Sequence, residues 1–280
     1  MSWLTLANNQ MVSYTDAQGG GFTLKSGQSN VNSLQCMTKL DALTKYNLNA
    51  TSMSSYTDTQ LVPKIAWISA VTSPVFIANG VPTAFTGTTV PVPYPTTVSA
   101  GDFMLLMVRA QTPNTTSTPS GWTAILPQGS VNSQTTALYY QYASGSEGGT
   151  SQSVITTGAA FSMGMIMQYR NVHPTAPFSP APINAQALLN TTGFSNPNNA
   201  STAANQLGVA LFSIQSASVS SNTPGAWTYR SGGSTSVGTG HTLVFATQAL
   251  PISGTAPGFM QVFVPSSTSA TIWSMFLNPI

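Results

Sequence analysis

The chain has 280 residues, enough for one or two domains with a real core. Apolar residues make up 41% of it and charged residues only 4%, against roughly 25% charged in an ordinary soluble domain. The apolar content excludes intrinsic disorder. The net charge of +2 excludes a field that gathers nucleic acid or an anionic membrane, and the single cysteine, Cys36, excludes a disulfide framework.

The first element in chain order is a helix over residues 36–46, "CMTKLDALTKY". Thr38 is placed to cap it, with Asp41 three residues on, and Leu40, Leu43 and Tyr46 share a face before Asn47 ends it. Around it lies a near-repeat, "NQMVSYTDA" at 9–17 and "TQLVPKIAW" at 59–67. Short apolar pieces separated by "GGG" and "SSYTD" give little independent core. Residues 1–67 are therefore expected to be a small mixed module with one short helix. Either a neighbour completes it, or it folds onto the rest of its own chain. No basic and apolar leader opens the sequence, so no secretory signal is expected.

Charge marks the end of this module. Asp16, Lys25, Lys39, Asp41, Lys45, Asp58 and Lys64 lie in residues 1–67, whereas only Asp102, Arg109, Glu147, Arg170 and Arg230 follow. From residue 68 to 280 the pattern is short β-prone runs broken by Gly, Pro, Ser and Asn, which predicts an all-β sandwich or barrel. The longest apolar runs, "GDFMLLMVRA" and "FSMGMIMQY", are about ten residues, half of what a membrane-spanning helix needs. "VPVPYP" at 90–95 suits an edge or a connector, because proline lacks a donor.

One device occurs twice: "STPSGWTAI" at 117–125 and "NTPGAWTYR" at 222–230. With Trp122 set over Trp227, "ALYYQYA" falls on "TLVFATQ", Leu138 over Leu243 and Tyr140 over Phe245. "FMLLMV" falls near "GVALFS". With a further shift of two, "MIMQYRN" at 165–171 falls on "IWSMFLN" at 272–278. The region is thus expected to be internally duplicated, with half-repeats of about 99–174 and 205–280. Stacked face to face, the halves make a two-sheet β-sandwich, jelly-roll or immunoglobulin-like. Trp122 and Trp227 are expected to plug its core. "FMLLMV" and "MGMIMQY" lack clean alternation, so both of their faces should be covered, one by the other sheet and one by the N-terminal module or a neighbouring subunit.

Residues able to carry chemistry are few. His173 and His241 have no nearby carboxylate or cysteine in sequence, too little for a metal site. Asp102 reads as a turn residue and Glu147 as a hairpin tip, not as a glycosidase pair. "SGGSTSVGTG" at 231–240 approaches but does not match a nucleophile elbow, and reads as a loop. Cys36 reads as a small buried apolar residue. Arg109, Arg170 and Arg230 read as solvated strand ends. The expectation is a protein that is not an enzyme and uses no cofactor or metal.

The β region resembles the sandwich domains of bacteriophage surface proteins: tail fibres, head fibres and capsid decorations. The residues that carry the likeness are "SAGDFMLLMV", "TPSGWTAI", "ALYYQYASGSEGGT" and "MIMQYRNVHP", over 99–174. The N-terminal module is similar to a short module of virion and surface proteins of Bacteroidetes and their phages. The resemblance implies a virion structural protein, commonly a homotrimer, without catalysis. Residues 1–67 would attach it to other virion proteins, and it would be assembled in the host cytoplasm. A host-glycan-binding module is the alternative, with Tyr139, Tyr142 and Tyr229 as stacking platforms if they face outward.

Overall fold

The computed structural model describes residues 11–15, 21–25, 65–68, 72–111, 113–125, 128–131, 134–222, 227–235 and 240–280. The chain divides into two compact units, Met1–Val71 and Thr72–Ile280.

In the first unit β1 (Met11–Thr15), β2 (Gly21–Lys25) and β3 (Ile65–Ile68) form an antiparallel sheet in the order β2-β1-β3. Tyr14 lies opposite Phe22 on one side and Ile65 on the other. The helix expected at 36–46 lies outside the described residues, as does Cys36.

The second unit is all-β, with two sheets packed face to face and no helix among its described residues. Sheet A holds β4 (Val75–Asn79), β5 (Thr83–Pro93), β6 (Phe103–Gln111), β7 (Thr123–Ala124), β8 (Gly129–Val131), β9 (Gln134–Tyr142) and β10 (Ser151–Arg170). Its order is β4-β10-β6-β9-β7, with β5 also on β10 and β8 also on β9. Sheet B holds β11 (Ile183–Ser195), β12 (Gln206–Ile214), β13 (Ser220–Asn222), β14 (Thr228–Thr235), β15 (His241–Leu250) and β16 (Gln261–Leu277). Its order is β11-β16-β12-β15-β14, with β13 also on β16. Both orders follow one plan: β10 lies between β4 and β6, and β16 lies between β11 and β12. Each half of the unit builds a whole sheet. An immunoglobulin sandwich, by contrast, draws each sheet from both halves of its chain.

The strand registers fix the correspondence between halves. Thr123 pairs with Tyr140 and Thr228 with Thr247, so Tyr140 answers to Thr247 and Leu138 to Phe245. The ungapped alignment is therefore two residues short on this strand. Carried through β6, β12 and the last strands, the registers set Met165 opposite Trp273 in the repeat, one residue beyond Ile272. That single step matters, because it exchanges the faces of a strand. Met165 and Trp273 both lie in the core between the sheets, while Ile272 lies on the far side of sheet B.

Three apolar cores result. The central one joins Phe103, Leu105 and Met107 of β6 and Met163, Met165 and Met167 of β10 to Leu207, Val209 and Leu211 of β12, Phe245 of β15 and Trp273 and Met275 of β16. The alternate residues of β6, Met104, Leu106 and Val108, enter a second core. There sheet A curls over itself. The 20-residue strand β10 pairs along β5 in two stretches with a register break between Ile155 and Ala160. This brings Val90, Val92, Tyr94 and Val98 over the outer face of β6. Gly164 permits the approach, since a Cβ there would lie 2.4 Å from a Val92 methyl. A third core covers the outer face of β12: Ala210, Phe212 and Ile214 meet Phe194, Trp227, Met260, Val262 and Val264. The second cover over "FMLLMV" is thus supplied by the chain's own sheet. Neither the N-terminal module nor a neighbouring subunit is needed for it.

Candidate interaction surface

The two tryptophans occupy matching places. Each sits just before a strand at one end of its sheet, Trp122 ahead of β7 on β9 and Trp227 ahead of β14 on β15. Trp122 is 6% exposed and Trp227 4%. Trp122 closes the turn after Pro119 with its own N–H and donates Nε1–H to Gln152 Oε1 at 3.0 Å. Trp227 donates to the Gly258 carbonyl at 3.2 Å. They seal the second and third cores, one in each outer layer, and not the layer between the sheets.

A second matched pair escaped the sequence reading. Ala100-Gly101-Asp102 leads into β6 and Ala204-Asn205-Gln206 into its counterpart β12. Gly101 and Asn205 both take a left-handed backbone, φ 84 and 62. The next side chain folds back on its own turn and reaches the end of the last strand. Asp102 accepts from the Ser99 N–H, from Gln168 Nε2 and from Arg170 Nε at 2.8 Å and Nη2 at 3.0 Å. Gln206 Oε1 accepts from the N–H groups of Thr202 and Ala203, and its Nε2 donates to Ser179 O and to Asn278 Oδ1 at 2.7 Å. Burial works to raise the Asp102 carboxyl, but Arg170, the Ser99 N–H and Gln168 outweigh it and hold it below its ordinary value. A small left-handed residue followed by Asp or Gln before each apolar run was the signal available in the sequence.

The tyrosine platforms fare unequally. Tyr139 is buried in the second core, with its hydroxyl 2.7 Å from Thr116 Oγ1, so it cannot stack on a sugar. Strand alternation explains the correction: 138, 140 and 142 face the central layer, while 139 faces the opposite way. Tyr142 is half-buried against Phe103 and donates its hydroxyl to the His173 carbonyl, so its ring is a packing surface. Only Tyr229, on β14, is exposed.

The remaining candidates hold the fold together. His173 Nδ1 accepts from the Ala176 N–H at 3.2 Å inside its turn. His241 is buried and stacked on Phe161, and burial together with the nearby charge of Arg109 pushes its imidazole down to about 3. Glu147 folds back on the N–H groups of Ser144 and Gly145. Arg170 ends β10 as a strand-end reading requires, but it is ion-paired. Arg230 lies over the Phe76 ring at 4.9 Å and donates to Thr247. Arg109 is buried inside β6, contrary to the solvated strand end expected of it. Residues 231–235 belong to β14 rather than to a loop, and 236–239 lie outside the described residues. Among the described residues no three His, Cys, Asp or Glu side chains group closely enough to hold a metal.

What the unit does present is an apolar edge. β4 and β5 lie end to end along the outer flank of β10, and no described strand pairs on their far side. Phe76 of β4 turns inward onto Tyr169 and Phe245. Its neighbours Val75 and Ile77 point out, and Phe85 and Val81 extend the exposed strip, the last 72% exposed. Soluble proteins commonly guard such an edge with charge, because its open backbone groups can accept another strand. From Thr72 to Pro93 this sequence has no charged residue at all. A shallow pocket on the other sheet is lined by Ser218, Val219, Ser220, Phe263, Val264 and Pro265, and carries no ionisable group.

No protein-family model, curated protein or solved structure matches the chain.

Proposed function

We propose that the protein is a structural subunit of a virus particle, a fibre or decoration component that assembles with copies of itself. The observation that carries this reading is the uncharged apolar edge of β4 and β5 on a sandwich whose cores are otherwise complete. Such an edge makes contacts through backbone pairing and apolar area, which salt does not weaken. Docked on a different surface of the next copy, the edge makes a head-to-tail contact, which can close into a ring such as a trimer. Under the same reading residues 1–67 attach the sandwich to other virion components. The resemblance of 99–174 to phage surface sandwiches points the same way.

The experiment is immunogold electron microscopy of particles from the virus that encodes the chain, with an antibody against residues 72–280. Labelled intact particles are expected. Particles free of label, with the antigen confined to the host lysate, would rule the reading out.

Glycan recognition retains one candidate platform, Tyr229. With Tyr139 buried and Tyr142 packed on Phe103, one of the three candidate tyrosines remains for stacking, so the structural role is the better supported.

A further inference from the structure

The layer between the sheets changes character along its length. Its middle is apolar, but one end carries Arg109 and Thr136 of sheet A facing Ser213 and His241 of sheet B. Gln134 reaches across the layer to the backbone oxygens of Ser213 and Ser269. Arg109 is 1% exposed, and its Nε, Nη1 and Nη2 have no hydrogen-bond partner. Its guanidinium lies 5.3 Å from the centre of the Phe161 ring, and Phe161 in turn stacks on His241. On the facing sheet the hydroxyls of Ser269 and Thr271 are also buried without a partner.

A ring face offsets only a little of the cost of burying a cation. An arginine keeps its charge, so burial calls for an opposite charge close by. This unit contains two side-chain carboxylates, Asp102 and Glu147. Asp102 stands seven residues back along β6, roughly 23 Å away at strand spacing, and is held by Arg170. Glu147 is folded onto its own loop. His241, held neutral, supplies no negative charge. Among the described residues of the unit nothing neutralises Arg109.

We propose that Arg109 binds a small inorganic anion of the halide class between the two sheets, beside Phe161 and His241. The anion replaces the missing carboxylate and accepts from the guanidinium. In this role it is an internal ligand that closes the polar end of the central layer. The inference does not depend on the virion reading.

The full chain tests it. Its thermal midpoint is followed at fixed ionic strength while sodium chloride replaces sodium gluconate, whose anion is too large for a closed interior. The expected result is a saturable rise of roughly 3 °C or more, lost in Arg109→Met. An unchanged midpoint in the parent, or an equal chloride response in Arg109→Met, overturns the proposal. If Arg109→Met does not fold, crystals of the parent grown in sodium bromide decide. An anomalous bromide peak within hydrogen-bond reach of the guanidinium supports the site, and an empty map there overturns it.

Discussion

At the scale of single residues, the tryptophans and the two turn-to-strand clamps bear most of the argument. Replacing Trp122 or Trp227 with Ala should cost about 3–5 kcal/mol, because each fills an outer core and donates a part-buried hydrogen bond. Urea unfolding monitored by far-UV circular dichroism measures this, and variants that unfold with the parent would show that neither is a plug. Asp102→Asn should cost about 1–3 kcal/mol at pH 7, since it weakens charged hydrogen bonds to a half-exposed Arg170. The sign of the pH dependence follows from the depressed carboxyl. Its stabilisation is present above the unfolded value of 3.8 and is lost as pH falls through the lower folded value. The difference between parent and Asp102→Asn should therefore stay constant from pH 7 to about 5 and narrow only below 3.8. A gap that closes near neutral pH would assign the effect to another group. These roles were unequally legible. A Pro-Gly turn before a large aromatic announces a plug, but the fate of Tyr139 and Arg109 depends on which face of a strand they take. Adjacent Tyr139 and Tyr140 point to opposite layers, and composition cannot tell them apart.

At the scale of elements, the informative runs are β6 and β12. Their residues are buried on both faces, which is why "FMLLMV" reads as a continuous apolar stretch and not as an alternation. The sequence made both covers predictable but not the identity of the second. That cover is β5, brought back along the same long strand, and no local pattern in "SQSVITTGAAFSMGMIMQYR" announces a register break after Ile155. The alignment of the halves failed for a similar reason. The correspondence slips by two residues on β9 and by one on β10, and sequence likeness alone does not detect slips that small, although the one-residue slip reverses the faces. The curl supplies its own test. Gly164→Ala should destabilise the sandwich by about 1–3 kcal/mol through the clash with Val92. Combining it with Val92→Ala should recover part of the loss, and the cycle of four proteins measures that coupling. Strict additivity would mean that β5 does not lie on β10 at this point.

At the scale of the whole molecule, each half of the β region makes a sheet with one shared plan, and the halves bury a common layer between them. That arrangement leaves the cores self-sufficient. The proposed self-assembly would then use the charge-poor surface and the open β4–β5 edge. Net charge near zero removes the repulsion that keeps ordinary proteins apart. The edge is therefore where self-assembly should be controlled, and Val81→Lys with Phe85→Lys should convert an assembled protein into a monomer without lowering its unfolding midpoint by more than about 2 °C. The decisive measurement is the mass of the purified chain by light scattering, in 0.1 M and in 1 M NaCl. A trimer of unchanged mass at both salt concentrations, reduced to a monomer by the two lysines, is the predicted result. A monomer at both, or an assembly that 1 M salt takes apart, would show that the apolar edge does not join subunits.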